Sequence, residues 1–113
     1  MNIRTSEIGQ VRVITVSGSI DALTAGDVEA VLVDQTANGH SRLVIDMSQV
    51  EFMSSAGLRM ILTGLKACRQ AGGDLRIAAA QPGVANILNI VGFTSVLKIY
   101  DQIELAVSSF EEN

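Results

Sequence analysis

The sequence contains few of the residue types that support metal binding, disulfide cross-links or acid–base catalysis. It has one cysteine, Cys68, one histidine, His40, one proline and no tryptophan among 113 residues. A single cysteine cannot form an intramolecular disulfide, and with one histidine it cannot complete a structural zinc site. We therefore expect no metal site. Cys68 is expected to be a small buried side chain, and His40 a solvated residue of a turn.

An excess of basic charge and a long apolar run are also missing. Eight Lys and Arg residues against twelve Asp and Glu residues give a formal net charge of −4. Nucleic-acid binding needs a basic surface, so DNA and RNA are not expected partners. No apolar run approaches the roughly 20 residues of a spanning helix, and the amino end lacks the pattern of a secretory signal. We expect a cytoplasmic protein without membrane insertion.

The composition is that of one globular domain. Apolar residues make up 48% of the chain and charged residues 18%. A chain of this length can bury one core without cross-links. We expect a single domain over residues 1–113.

Alternation of apolar and polar residues predicts two initial strands, at residues 3–8 and 10–17. The segment 18–21 breaks this pattern. The continuous apolar run in residues 42–47 predicts a strand buried on both faces, in the middle of a sheet. Further strands are predicted at residues 75–79 and 96–100.

Helical spacing separates these strands. Thr24 and Asp27 fit a capping box, and Leu23 and Val28 fit a hydrophobic staple, for a helix that ends at Gly39.

Three more helices follow in the pattern. The second carries an apolar stripe, the third begins at Pro82, and the fourth is capped by Asp101. The stripe of the second helix consists of Leu58, Ile61, Leu62, Leu65 and Cys68. Two strands followed by alternating helices and strands predict an α/β fold with a mixed, mostly parallel β-sheet and about four α-helices.

Residues 46–58, DMSQVEFMSSAGL, are the segment richest in functional groups. A buried strand leads through a predicted loop, residues 48–53, to Ser54 and Ser55 at the start of a helix. The N-terminus of a helix exposes unpaired N–H groups and a partial positive charge, so a phosphate on either serine would be stabilised there. The alternative is that the pair only caps the helix. Asp21 is either a turn former or a polar neighbour of this site.

A docking surface is expected beside these serines. Met53 precedes Ala56, Met60 and Thr63, which follow at helical spacing on a face distinct from the apolar stripe. If this face binds a partner, Met60→Glu should abolish binding without loss of helix content.

Residues 50–58, VEFMSSAGL, preceded by residues 44–48, VIDMS, resemble the signature of STAS-domain anti-sigma factor antagonists. Residues 18–21, GSID, resemble the first loop of that family, and the likeness covers essentially the whole chain. It implies a single STAS domain.

Aligning Gly57 and the following leucine with the family pattern implies that Ser55 is the phosphorylated residue. Ser54 stands where the family usually has an aspartate, and Ala56 where it usually has a second hydroxyl. Ser54 is therefore a competing acceptor. The resemblance also implies that Ser19 and Asp21 contact the partner, together with Ser54, Ala56 and Gly57 beside Ser55.

The resemblance implies a function in partner switching. The unphosphorylated antagonist binds an anti-sigma factor that is itself a serine kinase, which frees a sigma factor for transcription. Phosphorylation ends that binding, and a PP2C-type phosphatase restores it. The chain would then be a substrate and not an enzyme, with no cofactor of its own, because ATP belongs to the kinase.

Of three alternatives to partner switching, only the first remains open. A STAS accessory subunit could dock on the ATPase of a lipid or solute transporter through the same face. A hydrolase with Ser55 as nucleophile would need a histidine base and a glycine-flanked elbow, but His40 is the sole histidine and Met53 takes the place of the first glycine. Nucleotide binding at the helix N-terminus would need a glycine-rich phosphate loop, which the sequence does not contain.

Overall fold

A computed structural model describes residues 1–111 as a mixed sheet with helices on both faces. Glu112 and Asn113, the last two residues of the expected domain, lie outside the described residues. In chain order the elements are β1 (Asn2–Ile8), β2 (Val11–Ile20), α1 (Ala25–Ala37), β3 (Arg42–Met53), α2 (Ser55–Gln70), β4 (Asp74–Ala78), α3 (Pro82–Ile90), a 3-10 turn (Phe93–Ser95), β5 (Lys98–Tyr100), α4 (Ile103–Ser108) and a second 3-10 turn (Ser109–Glu111).

The five strands of the described chain form one sheet in the order β1-β2-β3-β4-β5. β1 runs antiparallel to β2, and every later neighbouring pair is parallel. This confirms the predicted mixed, mostly parallel sheet with about four helices. Because β2 and β3 are parallel neighbours, their carboxyl ends meet at one edge, where Ile20 pairs with Met53.

The sheet separates two apolar layers. Ile45 of β3 is fully buried in the larger layer, with residues of α1, α2 and α3. The preceding residue, Val44, points to the other face and packs with Ala106 and Val107 of α4. The alternation of the pleat thus places α4 on the face opposite α2.

β2 and β3 both extend further than the sequence pattern predicts. Residues 18–20 continue β2, and residues 48–53, predicted as a loop, are the end of β3. Their pairing passes through register shifts between Thr15 and Ser17 and between Gly18 and Ser19. The extra residues lie in β3. Such bulges break the regular alternation while the ladder continues, which is why periodicity alone ended β3 too early.

The predicted start of α1 is wrong in its side-chain details. Leu23 is 90% exposed and forms no staple. Thr24 is the N-cap residue, but its side chain makes no capping hydrogen bond. Its Oγ1 accepts a hydrogen bond from the N–H of Asp21 at 2.9 Å, and the same hydroxyl donates a hydrogen bond to the carbonyl oxygen of Ser19 at 2.8 Å. The hydroxyl of Thr24 therefore stabilises the loop that precedes α1 and does not cap the helix.

The end of the chain also differs from the prediction. β5 begins only at Lys98, because Gly92, at φ 79°, leads into a 3-10 turn. Asp101 does not cap α4. Gln102 is the N-cap residue and makes no side-chain capping hydrogen bond.

The lone cysteine is buried, as predicted, and the lone histidine is not simply solvated. Cys68 is fully buried in α2, and burial, followed by the negative charge of Asp74, raises the pKa of its thiol to about 12. His40 is half-buried, and its Nε2 lies 3.0 Å from Nη2 of Arg12. Since a guanidinium only donates, Nε2 is the acceptor in this hydrogen bond.

The raised pKa of Cys68 makes stability depend on alkaline pH. The native thiol keeps its proton up to about pH 12, whereas the thiol of the unfolded chain ionises near its ordinary pKa of 9.0. Unfolding therefore releases a proton between these values, so the free energy of unfolding falls as pH rises through this window. We expect urea titrations at pH values above 9.0 to show a steeper fall for the wild type than for Cys68→Ala. An identical pH dependence of the two proteins would contradict this.

Two glycines provide a test of packing. A Cβ on Gly73 would overlap the carbonyl oxygen of Ser41, whereas a Cβ on Gly83 in α3 would have nothing within 4 Å. We expect Gly73→Ala to lower the free energy of unfolding by about 1–3 kcal/mol, as overpacking does. Gly83→Ala should leave it unchanged or raise it by up to about 1 kcal/mol. Chemical denaturation measures both, and equal effects of the two substitutions would refute the predicted backbone contact at Gly73.

Candidate functional site at the N-terminus of α2

The candidate site lies at the carboxyl ends of β2 and β3, where α2 begins. The backbone N–H of Ser54 donates to the carbonyl oxygen of Ile20 at 2.9 Å. This hydrogen bond continues the pairing of Ile20 with Met53 by one residue. The first turn of α2 is therefore fixed to the end of β2 as well as to β3.

Gly57 allows α2 to approach the sheet closely. A Cβ at this position would overlap Cγ of Met53 and stand 3.1 Å from Cγ2 of Ile20. Gly57 is buried, so its contribution to the site is packing. The expectation that it touches a partner is wrong for the surface as it stands, because the sheet covers it.

The two serines have different roles in the structure. Oγ of Ser54 accepts the N–H of Ala56 at 3.2 Å, so Ser54 is the N-cap residue of α2. Ser55 is the first residue of the helix and is exposed. Its side chain makes none of the hydrogen bonds found within residues 1–111. The capping role belongs to Ser54, and this leaves the hydroxyl of Ser55 accessible.

The loop after β2 is held by Asp21. Oδ1 of Asp21 accepts the N–H groups of Leu23, at 2.9 Å, and Thr24, at 3.2 Å. The interpretation of Asp21 as a turn former is confirmed. Asp21 and Ser19 are both half-buried, and they stand on the strand end next to the start of α2.

The predicted docking face is wrong at its two methionines. Met53 and Met60 are each 1% exposed and lie in the core between α2 and the sheet. Met60 shares the inward face of the helix with Gly57 and Gly64, where glycine brings the helix axis close to its neighbours. A charge at Met60 would be buried without a partner, so Met60→Glu tests folding and not docking.

The exposed face of α2 consists of other residues. Thr63 is exposed as predicted, and Ala56 is half-buried. Leu62, predicted as part of the core stripe, is 43% exposed. We use the name outer face of α2 for its exposed residues near the site: Ser55, Arg59, Leu62, Thr63 and Lys66.

The outer face is basic although the whole chain is acidic. α2 carries Arg59, Lys66 and Arg69 and no acidic residue, in a chain of net charge −4. Arg69 bonds to Asp74 and to the carbonyl oxygen of Val96. Arg59 and Lys66 take part in none of the hydrogen bonds or ion pairs found in the described part of the chain. Their charges are therefore available to a ligand or partner.

Sequence reasoning missed Arg59 and two exposed apolar side chains at this end of the molecule. Leu23 is 90% exposed in the loop after β2, and Phe52 is 53% exposed near the end of β3. A leucine between the turn former Asp21 and a threonine was a detectable signal, but the staple interpretation assigned it to the core. The spacing of Arg59 from Ser55, one helical turn, was also visible in the sequence.

The site does not contain the groups of a hydrolase or a metal centre. His40 lies just before the start of β3, whereas Ser55 follows the end of that strand, so the histidine cannot reach the hydroxyl. No group of three or more His, Cys, Asp or Glu side chains within residues 1–111 could hold a metal ion. Over the same residues, every helix is too short or too polar to cross a membrane.

Comparisons with known proteins agree with this architecture. A protein of Bordetella bronchiseptica, provisionally named anti-sigma factor antagonist BtrV, is 30% identical over 98% of this chain and 96% of its own length. A crystal structure of an anti-sigma factor antagonist from Mycobacterium paratuberculosis has a TM-score of 0.89 at 25% identity, and the match covers 98% of this chain and 94% of that one. A Thermotoga maritima structure with a TM-score of 0.92 at 20% identity, covering 97% and 95%, shows the same fold.

A family model provides the assignment. The model of the STAS domain matches residues 2–106, which include all five strands, α1 to α3 and the start of α4. Together with the sheet order and the segment around Ser55, this match shows that the chain belongs to the STAS-domain family.

Proposed function

We propose that this protein is an anti-sigma factor antagonist that releases its partner when Ser55 is phosphorylated. The observation that carries the proposal is the division between the two serines. Ser54 is occupied as the cap of α2, whereas Ser55 presents an exposed hydroxyl on the first residue of that helix. Relatives named as anti-sigma factor antagonists over nearly the whole chain support the same role.

Phosphoryl transfer requires only the hydroxyl of Ser55 from this chain. An anti-sigma factor that is also a serine kinase would bring ATP. Oγ of Ser55 forms a bond to the γ-phosphorus, the bond from that phosphorus to the β,γ-bridging oxygen breaks, ADP leaves, and the hydroxyl proton passes to a base of the kinase. A PP2C-type phosphatase would return the serine by hydrolysis of the ester. The chain is the substrate in both steps, which would take place in the cytoplasm.

Phosphorylation at this position would change the surface without unfolding the helix. A phosphate on the first residue of α2 meets the positive end of the helix dipole, an interaction worth about 0.3–1 kcal/mol at an exposed site. It also adds about two negative charges at one point. A partner seated over Ser55 would meet both its bulk and its charge.

The partner surface that we propose is smaller than the sequence predicted. It includes exposed or half-buried residues on both sides of Ser55, and it leaves out Met53, Gly57 and Met60. The remaining predicted contacts are Ser19, Asp21, Ser54, Ala56 and Thr63. Leu23, which stands out of the loop beside them, is the apolar residue best placed to anchor a partner.

The acceptor can be identified by intact-mass and peptide mass spectrometry of the protein from its native cells. We expect one phosphate in the wild type and in Ser54→Ala, and none in Ser55→Ala. A phosphate that disappears only in Ser54→Ala would identify the capping serine, Ser54, as the acceptor instead. No phosphate under any growth condition would contradict the proposal and favour a constitutive subunit that docks on a transporter ATPase.

Leu23 provides a test of the partner surface. We expect Leu23→Ser to weaken binding of the cognate anti-sigma factor by about tenfold or more, as loss of an apolar anchor does. Its free energy of unfolding should change by no more than about 0.5 kcal/mol, because the side chain is solvated. The matched control is Leu105→Ser, half exposed on α4 at the opposite face of the sheet. Calorimetric titration that shows equal affinities for the two variants would exclude Leu23 from the interface.

A further inference from the structure

Arg59 lies one helical turn after Ser55 on the outer face of α2. Both residues are exposed. Within residues 1–111 the guanidinium of Arg59 makes no hydrogen bond, and the ion pairs of that region involve Arg12, Arg69 and Arg76 instead. Arg59 thus places a positive charge beside the candidate acceptor, and no ion pair or hydrogen bond within residues 1–111 engages this charge.

Helix geometry directs this charge toward the acceptor. Residues four apart on a helix have Cβ atoms about 5–6 Å apart. Helical side chains lean toward the N-terminus, so a long side chain covers the turn that precedes its own Cα. For Arg59 that turn begins at Ser55. The order, with the negative group N-terminal to the positive group, is also the favourable one.

We propose that Arg59 binds the phosphoryl group of phosphorylated Ser55 within the same helix. The inference rests on the proposed function, because it concerns the phosphorylated form. The planar guanidinium can donate two parallel N–H groups to phosphate oxygens. α2 contains no carboxylate that would compete for Arg59. The carboxylate of the neighbouring loop, Asp21, is engaged with backbone N–H groups through its Oδ1.

This contact gives phosphorylation two effects on the outer face of α2. The phosphate introduces negative charge at Ser55, and its pairing with Arg59 removes a positive charge from the surface offered to the partner. Lys66, further along the helix, keeps its charge. A partner that recognises the unphosphorylated basic face would therefore lose one attraction and gain one repulsion in the same step.

The test uses phosphoserine placed at position 55 during translation, so it does not depend on any kinase. Phosphorus NMR then gives the second pKa of the phosphate. We expect this pKa to be lower in the wild type than in Arg59→Gln by about 0.3 or more, since a cation favours the dianion. Arg59→Lys should retain part of the shift. Lys66→Gln is the control, because it removes another exposed positive charge, eleven residues from Ser55, and should change the pKa much less.

Equal pKa values in the wild type and Arg59→Gln would overturn the proposal, as would an equal change in Lys66→Gln. Raised salt should reduce the difference between the wild type and Arg59→Gln, because the pair is exposed. The outcome is separate from the proposed function. Absence of phosphate in native cells would refute phosphorylation of Ser55 there, whereas equal pKa values would refute only the role of Arg59.

Discussion

The parallel pairing of β2 with β3, carried to their common end, is the constraint on which the site depends. It brings Ile20 beside Met53, and Ser54 then extends the ladder by one hydrogen bond before α2 begins. Gly57 allows the helix to lie directly on these two side chains. The position of Ser55 in space is therefore set by the core of the sheet, while its exposed hydroxyl lies outside the packing that holds it.

The two adjacent serines show how a proposed phosphorylation site can be separated from a structural requirement. A helix needs a polar group at its N-cap, and Ser54 supplies it. The hydroxyl of Ser55 is then accessible, because this side chain is exposed and makes none of the hydrogen bonds found in residues 1–111. In our account the charge of Arg59 is likewise free of any structural role, and it binds a side-chain partner only when Ser55 carries a phosphate.

Much of the architecture was predictable because strand and helix periodicities differ and the strand-to-helix order is regular. The docking face was not, because α2 has apolar residues on two overlapping stripes. Met60 and Leu62 are both plausible core residues by spacing, and packing at Gly57 and Gly64 decides that Met60 is buried. The seven-residue spacing of these glycines, which places them on one face of the helix, was visible in the sequence. It indicates close packing only if that face is assumed to be buried. The bulges of β3 left no such signal in the periodicity.

The central claim is that a phosphate on Ser55 ends partner binding while the fold stays intact. The most direct measurement is calorimetric titration of the cognate anti-sigma factor with this protein carrying either serine or genetically encoded phosphoserine at position 55, each checked by circular dichroism. Our account predicts that phosphoserine weakens binding by about a hundredfold or more, which corresponds to roughly 2.7 kcal/mol, with unchanged helix content. Equal affinities of the two forms would contradict it, and so would a loss of binding that accompanies loss of helix.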